Sequence, residues 1–321
     1  MGEAVERLLN SKEPTVRLKV LQHVLTGDPA SSEIRRVQEE VRSSSRVSTL
    51  LSERDSSGRI PFRPYSKWRG THWVLATLAD MGYPPGDPHL IPLRDQVLEW
   101  LFSEKHERKI RSIDGRVRRC ASQEGNALYS LLSLGLADER CDELASRLTK
   151  WQWLDGGWNC DKKPQAKNSS FMKSLIPLRA LALYAKLKRS NEARDAAERV
   201  TEVFLKRRLY KRQRDGQTIK REFLELHYPC YWHYDILFAL KVMAEAGFIN
   251  DERCSDALDL LESKRLPDGG FPAEKRYCHV NPDSRSGISL VDWGGVDKKY
   301  MNEFVTVDAL HVLKSFNRLK T

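Results

Sequence analysis

The sequence predicts an all-α chain folded as an α/α toroid, a ring of inner and outer helices built from five to six hairpins. Three observations point there. Helices with one apolar stripe alternate with helices apolar nearly all round, a short glycine turn separates the two kinds five times over, and no segment carries a strong strand signal.

The turns set the frame. Their copies are Ser57-Gly58-Arg59-Ile60, Asp114-Gly115-Arg116-Val117, Asp155-Gly156-Gly157-Trp158, Asp215-Gly216-Gln217-Thr218 and Asp268-Gly269-Gly270-Phe271, spaced 41 to 60 residues apart. Asp-Gly is a strong turn pair because Asp bonds its own backbone and Gly accepts positive φ. Around them lie the one-sided helical patterns 93–102, 139–153, 192–209 and 251–264. The segments apolar nearly all round are 68–81, 121–136, 170–187, 233–246 and 303–316. A helix apolar on every side must be buried on every side, so this second set forms the inside of the ring. Residues 3–51 add further helices, which read either as a sixth hairpin or as a helical-repeat-like arm on a single 1–321 toroid domain.

Composition narrows the class. A chain of 321 residues with 40% hydrophobic and 31% charged residues is globular, and at about 150 residues per domain it makes one large domain or two ordinary ones. No apolar run approaches the ~18 residues of a membrane span, and the N-terminal stretch carries acids where a signal peptide has bases. A cytoplasmic chain without a membrane span is the expectation, with its six cysteines (120, 141, 160, 230, 254, 278) as reduced thiols. The net charge of +10 is concentrated: residues 186–221 hold 13 bases and 5 acids, and residues 105–119 hold 7 bases and 2 acids. Such clusters attract nucleic acid, anionic membrane or phosphorylated ligands, or else they are solvated helix ends.

The segment Trp151-Gln152-Trp153-Leu154-Asp155-Gly156-Gly157-Trp158 resembles the glutamine–tryptophan repeat of squalene and terpenoid cyclases, a helical-hairpin turn shared with protein prenyltransferase β subunits. Leu266-Pro267-Asp268-Gly269-Gly270-Phe271 is a degenerate second copy, and the similarity covers roughly residues 55–320. The resemblance implies an α/α barrel whose inner-helix starts line a central cavity.

Those starts gather polar and aromatic side chains. They are Tyr65, Lys67, Trp68, Arg69 and His72; Arg119, Cys120, Gln123, Glu124 and Asn126; Cys160, Asp161, Ser169, Ser170 and Phe171; the run His227 to Asp235; and Asn302, Glu303, Phe304, Thr306 and Asp308. Helix capping accounts for Ser169, Ser170 and Asn302 but not for Glu124, His72, Trp232 or His233. The acid–base candidates are Asp235, His233, Glu124 and Glu303, because a carboxyl among aromatic rings loses solvation and becomes a proton donor near neutrality. The candidate substrate-binding set is Trp68, Arg69, His72, Gln123, Phe171, Tyr231, Trp232, Tyr234, Phe304 and Asp308, whose rings suit an apolar polyene or a carbocation and serve equally well as ordinary core. Lys67, Arg69, Arg118 and Arg119 adjoin this end, either to hold an anionic head or to pair with Glu124, Glu303 and Asp308.

Cys120, Cys230 and His233 form a candidate zinc set, since zinc takes thiolate and imidazole together and Pro229 would start a helix placing Cys230 and His233 on one face. The resemblance to prenyltransferases implies zinc held by Asp, Cys and His, but the family's Asp-x-Cys pair reads Arg118-Arg119-Cys120 here. The Asp-x-Asp-Asp proton-donor motif of class II cyclases and the Asp-Asp-x-x-Asp magnesium motif are both absent.

Three functions stay open from the residues. The first is a terpenoid-cyclase- or prenyltransferase-like enzyme that binds an isoprenoid or other hydrophobic molecule. The second is a hydrolase or lyase on the same fold, metal-dependent through the cysteine–histidine set. The third is a non-catalytic binding module using the basic 186–221 stretch on nucleic acid or a partner. A toroid hides its helix edges, so no oligomer is required.

Overall fold

The computed structural model describes residues 2–280 and 286–319. Helices α1 (Glu3–Leu9), α2 (Pro14–Lys19, continued as a π-helical turn to Val24), α3 (Ser32–Arg42), α4 (Ser45–Leu51), α5 (Thr71–Met81), α6 (Ile91–Leu101), α7 (Glu104–Glu107), α8 (Ser122–Ser133), α9 (Glu139–Trp151), α10 (Phe171–Lys188), α11 (Asn191–Leu205), α12 (Ile236–Glu245), α13 (Ser255–Glu262) and α14 (Glu303–Ser315) carry the fold. The hairpin β1 (Arg111–Ile113)–β2 (Arg116–Arg118) is the one sheet among the described residues. The chain is an all-α α/α toroid, as its periodicities predict.

The all-round apolar segments lie inside. α12 is buried at every residue from Ile236 to Met243, and α14 from Phe304 to Leu310. Neighbours touch in the order α5, α8, α10, α12, α14 and α2, and Lys19 of α2 reaches Asp80 of α5. The closest approach in the ring is α8 against α10. A Cβ on Gly125 would stand 2.9 Å from the Pro177 nitrogen, so only glycine lets the two backbones meet. Outside, α9 and α11 bury one stripe each: Cys141, Leu144, Ala145 and Leu148 on α9, and Ala193, Ala196, Ala197, Val200 and Phe204 on α11.

All five turn glycines take positive φ, from 68° at Gly115 and Gly216 to 101° at Gly156. The 151–158 segment shows how such a turn works. Trp158 is fully buried and donates its indole N–H to Leu148 O at 3.1 Å. The Gln152 amide donates to Gly156 O and Ala196 O at 2.7 and 2.8 Å, tying the turn to α11. At Gly156 a side chain would force the backbones apart, because a Cβ would lie 2.3 Å from Arg199 O.

The axis of the ring is ionic. Lys19 bonds Asp80 and Asp308, each at 3.1 Å, and Lys241 bonds the same two at 3.0 and 2.9 Å. Arg179 of α10 grips Glu245 with two hydrogen bonds of 2.5 and 2.7 Å and lies over the Tyr129 ring at 3.8 Å. Against the burial that opposes it, the two lysines and Arg179 hold the Asp80 carboxyl well below its usual range. Burial likewise disfavours a charged Lys241, yet Asp308 and Asp80 keep its ammonium well above the ordinary value. Among the described residues no helix is long and apolar enough to cross a membrane.

Candidate functional site

The starts of the inner helices face one end of the ring, and two acid–base units sit there. The first belongs to α8. Glu124 has no solvent exposure; its Oε1 accepts from Arg119 Nε and Nη2 at 2.8 and 2.6 Å and lies 3.4 Å from His106 Nε2. Its Oε2 is buried with no hydrogen-bond partner among the described residues. Burial pushes this carboxyl above its ordinary value, and the Arg119 guanidinium only partly opposes that. Burial, reinforced by Arg119, brings His106 down to about 3.

The second unit is Asp235 with His227. Asp235 caps α12: its Oδ1 accepts from the Phe238 N–H at 2.7 Å. Its Oδ2 accepts from the His227 backbone N–H at 3.0 Å and lies 2.8 Å from His227 Nδ1. Nδ1 is also 3.2 Å from Glu225 O, and a carbonyl oxygen only accepts, so Nδ1 carries the proton. His227 Nε2 is buried and unpartnered among the described residues.

Between these units runs a band of aromatic rings. Trp68 stacks on Tyr231 at 3.9 Å and 6°, and Trp232 stacks on His233 at 4.1 Å. His233 in turn lies 3.5 Å from the Tyr277 ring, so both imidazole faces are covered. Lys67 and Lys173 place ammonium groups 5.0 and 4.6 Å from the Trp232 ring, whose indole N–H has no partner among the described residues. Below the band, a cavity of about 40 Å³ is lined by Asn126, Asp80, Arg179, Tyr228, Cys230 and Tyr231.

The sequence-derived residues separate into those at this end and those elsewhere. Glu124, Asp235, Trp68, Tyr231, Trp232, His233 and His72 belong to the mouth; His72 Nε2 faces the Asn126 amide at 3.2 Å, and burial lowers its pKa to about 3. Gln123 stands beside Tyr65, sharing a hydrogen bond with it. Arg69 lays its guanidinium over Phe62 at 3.9 Å. Glu303 instead receives the Ser11 hydroxyl at 2.7 Å, fastening α14 to the N-terminal segment. Asp308 lies in the axial ion network. Phe171 and Tyr234 pack with Phe204 and Phe223 in the core, and Phe304 stacks on Tyr228 at 4.5 Å.

The structure does not build the three-ligand zinc set. Cys120 shares a hydrogen bond with Cys160, which lowers the Cys160 thiol to about 6 and raises that of Cys120. Cys230 sits over His227 O at 3.9 Å, and burial pushes its thiol well up. His233 is sandwiched between Trp232 and Tyr277. Among the described residues no group of three His, Cys, Asp or Glu side chains is placed to hold a metal ion. Nor does Pro229 start a helix, because α12 begins only at Ile236, where Asp235 supplies the cap.

His106, Lys173 and Tyr277 entered through the structure, and so did the pairing of His227 with Asp235. The eight-residue interval between those two is closed by the turn Cys230–His233, which helical spacing does not reveal. His106 reaches Glu124 from α7, 18 residues away. Tyr277 arrives from the loop preceding α14, and nothing in its own sequence neighbourhood announces the stack.

No family model and no curated protein matches the chain. Among solved structures it is similar to a glycosyl hydrolase family 88 protein from Bacteroides vulgatus (TM-score 0.48, 12% identity, 99% of this chain and 97% of that one). It is also similar to a possible GH105 family member from Salmonella enterica serovar Paratyphi A (TM-score 0.47, 10% identity, 98% and 92%). A further match is a type II terpene cyclase from Scytonema (TM-score 0.29, 16% identity, 90% and 100%). Those activities belong to the proteins named.

Proposed function

We propose that the chain is an acid–base enzyme of the hydrolase or lyase kind, acting at the mouth of the ring on a compact polar substrate, with a saccharide unit as the class that fits. The observation that carries this is the presence, at the inner-helix starts, of two buried acid–base units that each leave one side-chain atom without a partner among the described residues: Glu124 Oε2 and His227 Nε2. A carboxyl raised by burial donates a proton to a leaving oxygen, and the imidazole that Asp235 orients accepts one from water or from a substrate carbon. Trp232 is partly buried, with one ring face on His233 and two ammonium groups beside the ring, which suits a sugar ring laid against it with its oxygens toward Lys67 and Lys173.

The mouth side of the axis has little room for an isoprenoid. Ligand pockets hold roughly 300–1,000 Å³, whereas the cavity below the aromatic band is about 40 Å³ and its floor is the Asp80–Arg179 layer; the cavity of about 380 Å³ beyond has Lys19, Lys241, Glu245 and Asp308 in its wall. The contacts of α2 with α14 and α5 favour residues 1–51 as the sixth hairpin of one ring rather than as an arm.

The test is turnover of a panel of aryl glycosides and polysaccharides, with prenyl diphosphates alongside, by the wild-type chain and by Glu124→Gln and His227→Ala. Saccharide turnover that falls about 100-fold or more in both variants, with unchanged helical circular dichroism, is the expected result. Turnover of a prenyl diphosphate, no turnover of any saccharide, or variants within threefold of wild type would overturn the proposal.

A further inference from the structure

The basic stretch 186–221 plays no part in the mouth chemistry, and the structure shows what it builds. Beyond α11 the chain folds into a hairpin-like loop. Ile219 N–H bonds Tyr210 O at 2.8 Å, Arg212 N–H bonds Gln217 O at 2.7 Å, and Gly216 sits at the turn with φ 68°. This loop and the start of α10 enclose an open cavity of about 620 Å³. Phe171, Ile219 and Phe223 give it an apolar floor, and Arg207, Arg212, Arg214 and Lys220 line its sides.

Charge is unbalanced there. Arg212 and Arg214 share the single carboxylate of Asp215, at 3.3 and 3.0 Å. Arg207 spends one N–H on Val203 O at 2.9 Å, and neither it nor Lys220 is ion-paired among the described residues. Elsewhere in the stretch Arg208 and Lys211 share Asp256 and Lys188 holds Asp142, while Lys186, Arg189, Arg194 and Arg199 have no ion pair among the described residues. What sets the cavity apart is convergence: four cations line one ligand-sized space with the single carboxylate of Asp215 beside them. Guanidinium groups meet tetrahedral oxyanions with paired N–H donors, and an apolar floor holds an organic body beside such a charge.

We propose that this cavity is a binding site for a small organic phosphate or sulfate, separate from the acid–base units of the mouth. The oxyanion sits among Arg207, Arg212, Arg214 and Lys220, and the organic part lies on Phe171, Ile219 and Phe223. The site stands or falls independently of the proposed hydrolase or lyase chemistry.

The experiment is calorimetric titration of the full chain with phenyl phosphate, phenyl sulfate and inorganic phosphate at fixed ionic strength. It is repeated on Arg207→Ala/Lys220→Ala and, as a control at the mouth, on Lys67→Ala/Lys173→Ala. The expected result is one saturable site per chain, tighter for the phenyl esters than for inorganic phosphate. Affinity should fall about 100-fold in the cavity double variant, as two charge-assisted contacts are lost, and stay unchanged in the mouth variant. Three outcomes would overturn the site: no saturable binding, binding abolished only by the mouth variant, or binding confined to a nucleic-acid oligomer that phenyl phosphate does not displace. The last would make the stretch an extended polyanion surface.

Discussion

Replacing Asp308 by Asn should destabilise the ring by about 3–5 kcal/mol at pH 7, the usual cost of removing one partner from a buried ion pair. Asp308 is 5% exposed and receives Lys19 Nζ and Lys241 Nζ at 3.1 and 2.9 Å. With Asp80 it closes a square of two ammoniums and two carboxylates, neutral overall. Asn keeps the shape but leaves two buried ammoniums sharing Asp80 alone. Urea denaturation followed by circular dichroism reads the loss directly. Although burial opposes it, Lys19 and Lys241 hold the folded Asp308 carboxyl below its ordinary 3.8. Its contribution is therefore fully present above that value and is lost as pH falls through the lower folded value, so the two proteins should converge in acid. Adding Lys241→Met to the variant removes the surplus charge and should recover part of the loss. A loss below about 1 kcal/mol, or a gap that persists unchanged in acid, would refute the idea that this square is a coupled charge network.

Burial lowers His23 to about 4 and His72 and His233 to about 3, against an ordinary 6.5. Between those values the unfolded chain takes protons that the folded chain refuses, so stability should fall as pH drops from 6.5 toward 4, by up to ~1.4 kcal/mol per pH unit for each histidine; a flat profile from urea midpoints would contradict this. Arg119→Ala should leave Glu124 buried without its guanidinium and cost about 3–5 kcal/mol, with the variant weakening further as pH rises above the carboxylate range, measured by thermal melts at pH 5 and 8. Gly156→Ala should cost about 3 kcal/mol, because its φ is 101° and its Cβ would meet Arg199 O at 2.3 Å. Gly216→Ala, at φ 68° with open space around it, should cost only about 1 kcal/mol in the same denaturation assay.

What the sequence made legible followed from local physics. The inner segment 303–316 became α14 at Glu303–Ser315, and 170–187 became α10 at Phe171–Lys188, because continuous apolarity and helical period act within a single element. Five Asp-Gly or Ser-Gly pairs marked five positive-φ turns for the same reason. The mouth was legible as a place, since Glu124, Asp235, Trp68 and Trp232 begin inner helices or lie just before them. Partners were not. His233, two residues from Asp235, was the obvious neighbour, yet a capping aspartate points back along the incoming chain and meets His227 instead. Asp308 looked like a mouth residue until its helix placed it a turn deeper, opposite Lys19, 289 residues away. Contacts between distant helices leave no periodic trace in one sequence.

The ionic axis also bears on where chemistry can happen. A toroid that worked on an apolar chain along its axis would have to leave that axis wide and line it with hydrocarbon and rings. Here Lys19, Asp80, Arg179, Lys241, Glu245 and Asp308 meet across it from α2, α5, α10, α12 and α14. Each of these charges is satisfied by another, so the network gains nothing by opening, and opening it would expose buried ions without their partners. Five of the buried side-chain atoms without a partner among the described residues, Glu124 Oε2, His227 Nε2, His72 Nδ1, His233 Nδ1 and Trp232 Nε1, belong to the mouth, while others, Thr15 Oγ1 and His311 Nδ1 among them, lie outside it. Buried polar groups are ordinarily paired, and five exceptions gathered at one end of the ring favour that end as the place where a ligand or water completes the set. Paired ions lie across the axis and these unpaired donors and acceptors lie at the inner-helix starts, so the proposed chemistry belongs at those starts rather than along the axis.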